Sequence, residues 1–141
     1  MEFAWRMGYQ RLGLVFCIGL RREARMLANL LESHGFIVVS VVCKVGQIPK
    51  STLGVNDADL ICPGTVETMC NPILQAKIVN AAESQFNIAL GLCVGHDSLF
   101  FKFAQAPTTV LAVKDRVLGH NPLAALYNLD SYYRYLKAPS L

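Results

Sequence analysis

Cysteine and histidine side chains offer most of the chemistry in this sequence, and four of the five cysteines fall at the ends of predicted elements. Cys17, Cys43 and Cys93 end three predicted strands, and Cys70 directly precedes a predicted helix. Because the carboxyl ends of parallel strands meet at one edge of a sheet, we expect these thiols to lie close together. His96 follows three positions after Cys93 and can converge on the same turn. Thiolates and imidazoles suit zinc or an iron–sulfur cluster, so the pattern predicts a metal centre with a redox or small-ligand role. The four thiolates would be its ligands, and His96 a fifth ligand or a neighbouring donor.

The plainer interpretation is that the cysteines are small apolar residues of a core, where free thiols are common. No C-x2-C pair is present, so the usual spacing of a zinc ribbon is absent. Cys62 lies in a segment with many turn-forming residues, and we expect it to be a bystander. Three cysteines at successive strand ends and a fourth before a helix favour the metal centre over the core interpretation.

Cys93 also lies within a G-x-C-x-G pattern, the thiol form of a nucleophile elbow, over residues 91–95. The segment resembles the elbow of class I glutamine amidotransferases, which pair their cysteine with a later H-x-E. That pair is absent here, because Asn121 follows His120 and no glutamate follows Glu83. The alternative function is therefore a cysteine-nucleophile enzyme, amidohydrolase or amidotransferase-like, in which Cys93 acts with His120 and Asp115 orients the histidine.

Charged residues follow the fourth predicted strand, at the edge where such sheets bind ligands. Lys114, Asp115 and Arg116, with His120 shortly after, could shape the pocket of a small anionic ligand or surround the metal centre. The plainer interpretation is a solvated loop with an internal ion pair, and the sequence favours neither.

Alternating strands and helices must position these side chains. Breakers and hydrophobic runs predict strands over 12–17, 36–43, 86–93 and 108–114, and helices over 20–33, 73–84, 98–104 and 121–129. Asn-Pro pairs before the second and fourth helices supply an N-cap followed by proline. Leu99, Phe100 and Phe103 are predicted core residues. The tyrosines of the C-terminal segment are expected to pack on the sheet or to form a subunit contact. We expect a single α/β domain over 1–141, a three-layer Rossmann-like (flavodoxin-like) fold. Its mostly parallel sheet would have about four strands and helices on both faces.

Composition narrows the function classes. Hydrophobic residues make up 53% and charged residues 16%, but no run approaches a membrane-spanning length. A net charge of +3 gives no argument for nucleic acid. No secretory signal is evident, so we expect a cytoplasmic chain with reduced thiols, and a homo-oligomer is compatible with the sequence.

Three long motifs carry a resemblance: MCNPI (69–73), GLCVGHDSLFFK (91–102) and VKDRVLGHNP (113–122). They resemble a prokaryotic domain-of-unknown-function family whose members are labelled predicted metal-binding proteins. The resemblance implies a metal function and supplies no substrate or reaction. Members of that family carry a cysteine-rich segment before this point. The opening of the chain looks like a helix end, so we expect it to be the C-terminal part of a longer design that lacks this segment.

Overall fold

A computed structural model describes residues 1–138 of the chain. Its helices are α1 (Glu2–Arg6), α2 (Arg21–Ser33), α3 (Pro72–Ala81), α4 (His96–Phe103) and α5 (Leu123–Tyr127), and its strands are β1 (Arg11–Phe16), β2 (Ile37–Val42), β3 (Phe86–Leu90) and β4 (Thr108–Ala112). Short 3-10 helices cover Ile18–Leu20, Lys50–Leu53, Asp57–Asp59 and Arg134–Lys137.

The four strands form one parallel sheet in the order β2-β1-β3-β4. This order matches the first four strands of a flavodoxin-like sheet, so the predicted α/β Rossmann-like fold is confirmed. The chain leaves β1 toward β2 on one side and returns to β3 on the other. The carboxyl ends of β1 and β3 therefore flank the topological switch point, where open α/β sheets bind ligands.

Hydrophobic side chains cover both faces of the sheet, because neighbouring residues of a strand point to opposite sides. Val15 packs with Ala76 and Phe100 on the face covered by α3 and α4. Leu14 packs with Ala24 on the face covered by α2. The high hydrophobic content of the sequence is thus what a sheet buried on both sides requires.

Helix α3 begins as its sequence predicts. The side chain of Asn71 accepts a hydrogen bond from the backbone N–H of Leu74 at 2.9 Å, and Pro72 occupies the first turn. Further along the helix, the buried Gln75 donates through Nε2 to the carbonyl of Val41 at 2.7 Å and to that of Phe16 at 3.3 Å. This amide ties together the ends of β1 and β2, the two strands that lead into Cys17 and Cys43.

Several predicted boundaries are wrong by a few residues. Strand β3 ends at Leu90, because Gly91 turns the chain into the left-handed region with φ of 60°, so Cys93 lies in a turn. Helix α4 begins at His96 after Gly95, and Asp97 lies inside its first turn, where the carboxylate accepts from the N–H groups of Gly95 and Ser98.

The prediction that Leu99 and Phe103 are core residues is also wrong. Of the two expectations for the C-terminal tyrosines, a subunit contact stays a prediction. Leu99 and Phe103 are each 40% exposed, because α4 packs mainly on α3 and turns only Phe100 fully inward. Tyr127, Tyr132 and Tyr135 are exposed, and the neighbouring rings of the C-terminal segment contact each other at centroid distances of 5.1 and 6.0 Å. No helix within residues 1–138 is both long and apolar enough to cross a membrane.

A long irregular segment, residues 43–71, joins β2 to α3 and folds back on itself. Pro49 and Thr68 form an isolated antiparallel bridge, and Lys50 pairs with the carboxylate of Glu67. The backbone N–H of Asn71 then donates to the carbonyl of Cys43 at 2.7 Å. The segment is therefore anchored at its two ends and brings Cys70 back beside Cys43.

Candidate functional site

A cavity of about 460 Å³ opens at the carboxyl edge of the sheet, beside the switch point. Cys17, Cys70 and Cys93 line it, and Cys43 lies just behind Cys70. We refer to Cys17, Cys43, Cys70 and Cys93 as the site thiols. They come from four different parts of the chain: the ends of β1 and β2, the start of α3, and the turn between β3 and α4.

Cys17 lines the cavity and contacts Lys114 directly. Its side chain is buried, and its sulfur accepts a hydrogen bond from the ammonium of Lys114, which follows β4. Hydrogen bonding from the Cys43 thiol lowers the pKa of Cys17 to about 4, against the opposing effect of burial, and Lys114 and the backbone N–H of Gly19 act in the same direction. Cys17 is therefore a thiolate at neutral pH.

Cys43 is the complementary partner of that thiolate. Its pKa is raised, first because its thiol donates to Cys17 and then because it is buried. The backbone N–H of Ile18 donates to the Cys43 sulfur at 3.4 Å, which opposes the increase. Of the two sulfurs, Cys17 thus carries the charge and Cys43 keeps the proton.

Cys70 and Cys93 complete the group. The thiol of Cys70 donates to the sulfur of Cys43, with the two sulfurs 3.5 Å apart. Burial raises the pKa of Cys93, the Lys114 ammonium opposes this effect, and the charge of the Cys17 thiolate raises the pKa further. A single thiolate therefore accepts from one ammonium and from neighbouring thiols.

Two glycines lie in the turns that carry the site residues. A Cβ on Gly91 would lie 2.1 Å from Cδ1 of Leu20, so only glycine lets the turn after β3 pass over the start of α2. A Cβ on Gly19 would lie 3.3 Å from Nζ of Lys114 and 3.9 Å from the Cys17 sulfur. Gly19 thus lies directly against the Cys17–Lys114 contact.

A family model for a protein of unknown function, DUF1847, matches residues 1–111. The chain belongs to this family. A protein of Methanocaldococcus jannaschii, named only as uncharacterized, is similar to it, with 48% identity over 133 residues. The alignment covers 94% of this chain and 66% of that protein, so the chain spans slightly less than two thirds of the relative's length. No solved structure matches.

The family match supports the resemblance carried by the sequence motifs. All four site thiols of this DUF1847 member lie within the matched residues, whereas Lys114 and the residues that follow it lie beyond residue 111.

His96 and Arg116 line the same cavity as the thiols of this DUF1847 member. The Nδ1 atom of His96 is buried and has no hydrogen-bond partner within residues 1–138. A buried, unpaired ring nitrogen is costly, so His96 holds an unsatisfied polar atom beside the cavity. Arg116 is exposed and places a cation at the same wall.

Asp115 and His120 have their bonds within their own turn. Oδ1 of Asp115 accepts from the N–H groups of Val117 and Leu118 at 2.9 and 3.1 Å, and the N–H of Asp115 donates to Nδ1 of His120 at 3.1 Å. These contacts shape the loop after Lys114. Neither they nor the raised pKa of Cys93 favours a nucleophilic Cys93–His120 pair, which stays a prediction.

The donor types at this site fit a soft metal, since four thiols and an imidazole are the ligands that zinc and iron–sulfur clusters take. As the side chains stand, however, no three or more His, Cys, Asp or Glu residues among 1–138 are arranged to hold a metal ion. The contact of Lys114 with Cys17 and the thiol–thiol hydrogen bonds occupy the sulfur lone pairs that a metal would use.

The sequence did not predict the Lys114–Cys17 contact or the role of Gln75, whereas the position of Cys62 agrees with its expectation. The direct contact between Lys114 and Cys17 spans 97 positions, and its only signal was a lysine just after a strand. Gln75 gave no signal, because a glutamine inside a helix is ordinarily a surface residue. Cys62, expected to be a bystander, is exposed and lies outside the cavity lining.

Proposed function

We propose that this chain binds a zinc ion or an iron–sulfur cluster through the thiolates of Cys17, Cys43, Cys70 and Cys93. One observation carries the proposal: Cys17, Cys70 and Cys93, from three separate chain segments, line one cavity, and the sulfur of Cys43, from a fourth, lies 3.5 Å from that of Cys70. Isolated core cysteines would be expected to scatter among apolar side chains. Soft sulfur ligands select zinc, copper(I) or iron–sulfur clusters over hard cations such as magnesium or calcium.

The sulfur spacing supports the proposal. Zinc–sulfur bonds of about 2.3 Å in a tetrahedron require sulfurs about 3.8 Å apart. The sulfurs of Cys43 and Cys70 are 3.5 Å apart, so this pair needs only a small adjustment. Metal binding would also release the thiol protons, because only thiolates are ligands.

The charge of the site supports it as well. Four thiolates around one divalent ion leave a net charge of −2, which is costly at a half-buried site unless a cation lies nearby. Lys114 lies within hydrogen-bond reach of Cys17 and would take the role of an outer donor to a metal-bound sulfur. Arg116 on the cavity wall would then attract a small anionic ligand beside the metal.

Anaerobic purification with quantification of zinc, iron and sulfide tests the proposal, together with an absorption spectrum. Single Cys→Ser variants at the four site thiols should each weaken metal binding by more than about tenfold, the loss typical of disturbed metal-site contacts. Cys62→Ser is the matched control, because Cys62 is exposed and lies outside the cavity lining; its metal content should equal that of the wild type.

Stability provides a second readout. A metal at 100 times its Kd should stabilise the chain by about 2.7 kcal/mol, and a chelator should remove that gain. The proposal is wrong if the reconstituted chain holds no metal, all five thiols titrate freely and the Tm is indifferent to chelation.

A further inference from the structure

Cys43 and Cys70 form a dithiol that is poised for a second kind of chemistry. Their sulfurs are 3.5 Å apart, in a thiol–thiol hydrogen bond. The adjacent backbones are joined by the bond from the N–H of Asn71 to the carbonyl of Cys43 at 2.7 Å. We propose that this pair is an oxidation site, which a small-molecule disulfide converts to a Cys43–Cys70 disulfide in the metal-free chain.

The short distance makes the conversion a local event. A disulfide requires an S–S bond of about 2.05 Å, which rotations of the two side chains can bring about from hydrogen-bonding distance. The segment that carries Cys70 is held by its own contacts, including the Pro49–Thr68 bridge, and needs no unfolding. The sheet therefore stays intact when the pair is oxidised.

Exposure decides which sulfur reacts first. Cys70 is partly exposed and lines the cavity, whereas Cys43 is only 3% exposed and lies behind it. Cys93 is also partly exposed and lines the cavity, but it is the sulfur of Cys70 that lies 3.5 Å from that of Cys43, so Cys43 can resolve a mixed disulfide formed there. Cys17 is the competing partner of Cys43, but its side chain is only 3% exposed, so an oxidant in solution reaches Cys70 more readily.

The reaction balances as two thiol–disulfide exchanges. The Cys70 sulfur attacks a small disulfide RSSR, whose S–S bond breaks, giving a Cys70–S–SR mixed disulfide and one RSH. The Cys43 sulfur then attacks the sulfur of Cys70, the Cys70–SR bond breaks, and a second RSH leaves. The two cysteines lose two protons and two electrons, and RSSR is reduced to two RSH molecules.

This site overlaps the metal ligands proposed above, and one part of the inference rests on that function. Oxidation would remove two of the four thiolates, so the oxidised chain could not bind the metal, and a bound metal would block oxidation. The disulfide itself needs no metal, which makes the two claims separable by experiment.

Peptide mapping of the metal-free chain tests the assignment. In a Cys62→Ser background, trypsin places the four remaining cysteines on separate peptides, with Cys17 on 12–21, Cys43 on 26–44, Cys70 on 51–77 and Cys93 on 78–102. The reduced chain is treated with oxidised glutathione and digested without reductant. We expect a dominant cross-linked species of 26–44 with 51–77, two hydrogen atoms lighter than the two peptides together.

Variants and metal loading separate the possible outcomes. Cys70→Ser should lose the cross-link, and Cys93→Ser should keep it. A dominant link of 12–21 to 26–44, or glutathione adducts without any link, overturns the disulfide assignment, whatever the metal content. If the link forms but zinc at saturating concentration does not slow it, the disulfide stands and the proposed metal ligands are wrong.

Discussion

Lys114 is half-buried and its ammonium contacts Cys17, so replacing this side chain tests the effect of its charge on that thiol. Lys114→Met keeps a long flexible side chain and deletes the charge that contacts the sulfur. Lys102→Met is the matched control, because Lys102 is exposed on α4 and lies outside the cavity lining.

Coulomb's law sets the size of the effect. Two unit charges about 4 Å apart at an effective dielectric constant of ~20 interact by about 4 kcal/mol, equivalent to a pKa change of about 3. Lys114 is only half-buried, so water screens part of this interaction. We therefore expect the pKa of Cys17 in Lys114→Met to rise by about 1 to 2. It should stay below the ordinary value of 9.0, because the Cys43 and Gly19 contacts remain.

Alkylation by iodoacetamide as a function of pH measures this pKa. In the reduced, metal-free chain, Cys17 is read on the peptide of residues 12–21, which contains no other cysteine. The midpoint of the rate should lie near pH 4 in the wild type and in Lys102→Met, since the pKa of Cys17 is about 4. It should lie about 1 to 2 pH units higher in Lys114→Met. An unchanged midpoint in Lys114→Met would refute the charge argument for Cys17.

Three further outcomes follow from contacts at or near the site. For the metal-free chain, stability should rise as the pH increases from about 4 toward 9, because folded Cys17 has lost the proton that the unfolded chain still holds. Above that range the raised pKa of Cys43 should reverse the slope, and urea unfolding of the wild type and Cys17→Ser at several pH values checks both limbs. Gly13→Ala should destabilise by about 1–3 kcal/mol in thermal unfolding, because a Cβ there lies 2.2 Å from the buried Oδ1 of Asn87. Gln75→Leu should lower the free energy of unfolding by about 1–3 kcal/mol in the same thermal measurement, since the carbonyl of Val41 in β2 loses its donor. Gln85→Leu is not a matched control for it, because Gln85 accepts hydrogen bonds from the backbone N–H groups of Gln10 and Arg11.

The sheet and the edge that carries the thiols were predictable because they depend on simple periodicity. Hydrophobic runs bounded by glycine and proline identify the strands, and βαβ order makes them parallel. Cys17 and Cys43 each directly follow their strand, so their common edge could be inferred from sequence alone. Cys70 could be placed through the Asn71 cap, which marks the start of α3.

The remaining features depend on contacts between distant residues. Gly91 ends β3 early because its backbone adopts a left-handed conformation. The residue pattern of 86–93 is equally compatible with a strand that continues to Cys93. The pairing of β3 with β4 changes register between Ala89 and Leu90, so that Leu90 pairs with Ala112. No residue pattern near these positions signals this change. The partner of Lys114 could not be read from its neighbours, because a lysine after a strand is ordinarily solvated.

Lys114 is also the last of these residues to be synthesised, and this order bears on how the site matures. The ribosome releases all four cysteines before β4 is complete, and Ala112 must pair with Leu90 for Lys114 to reach Cys17. Until then the nascent chain carries thiols without their counter-charge, closer to the ordinary reactivity of cysteine. A chain stalled before this lysine therefore differs in chemistry from one that includes it, although it holds all four site thiols, because Cys17 then lacks its ammonium partner.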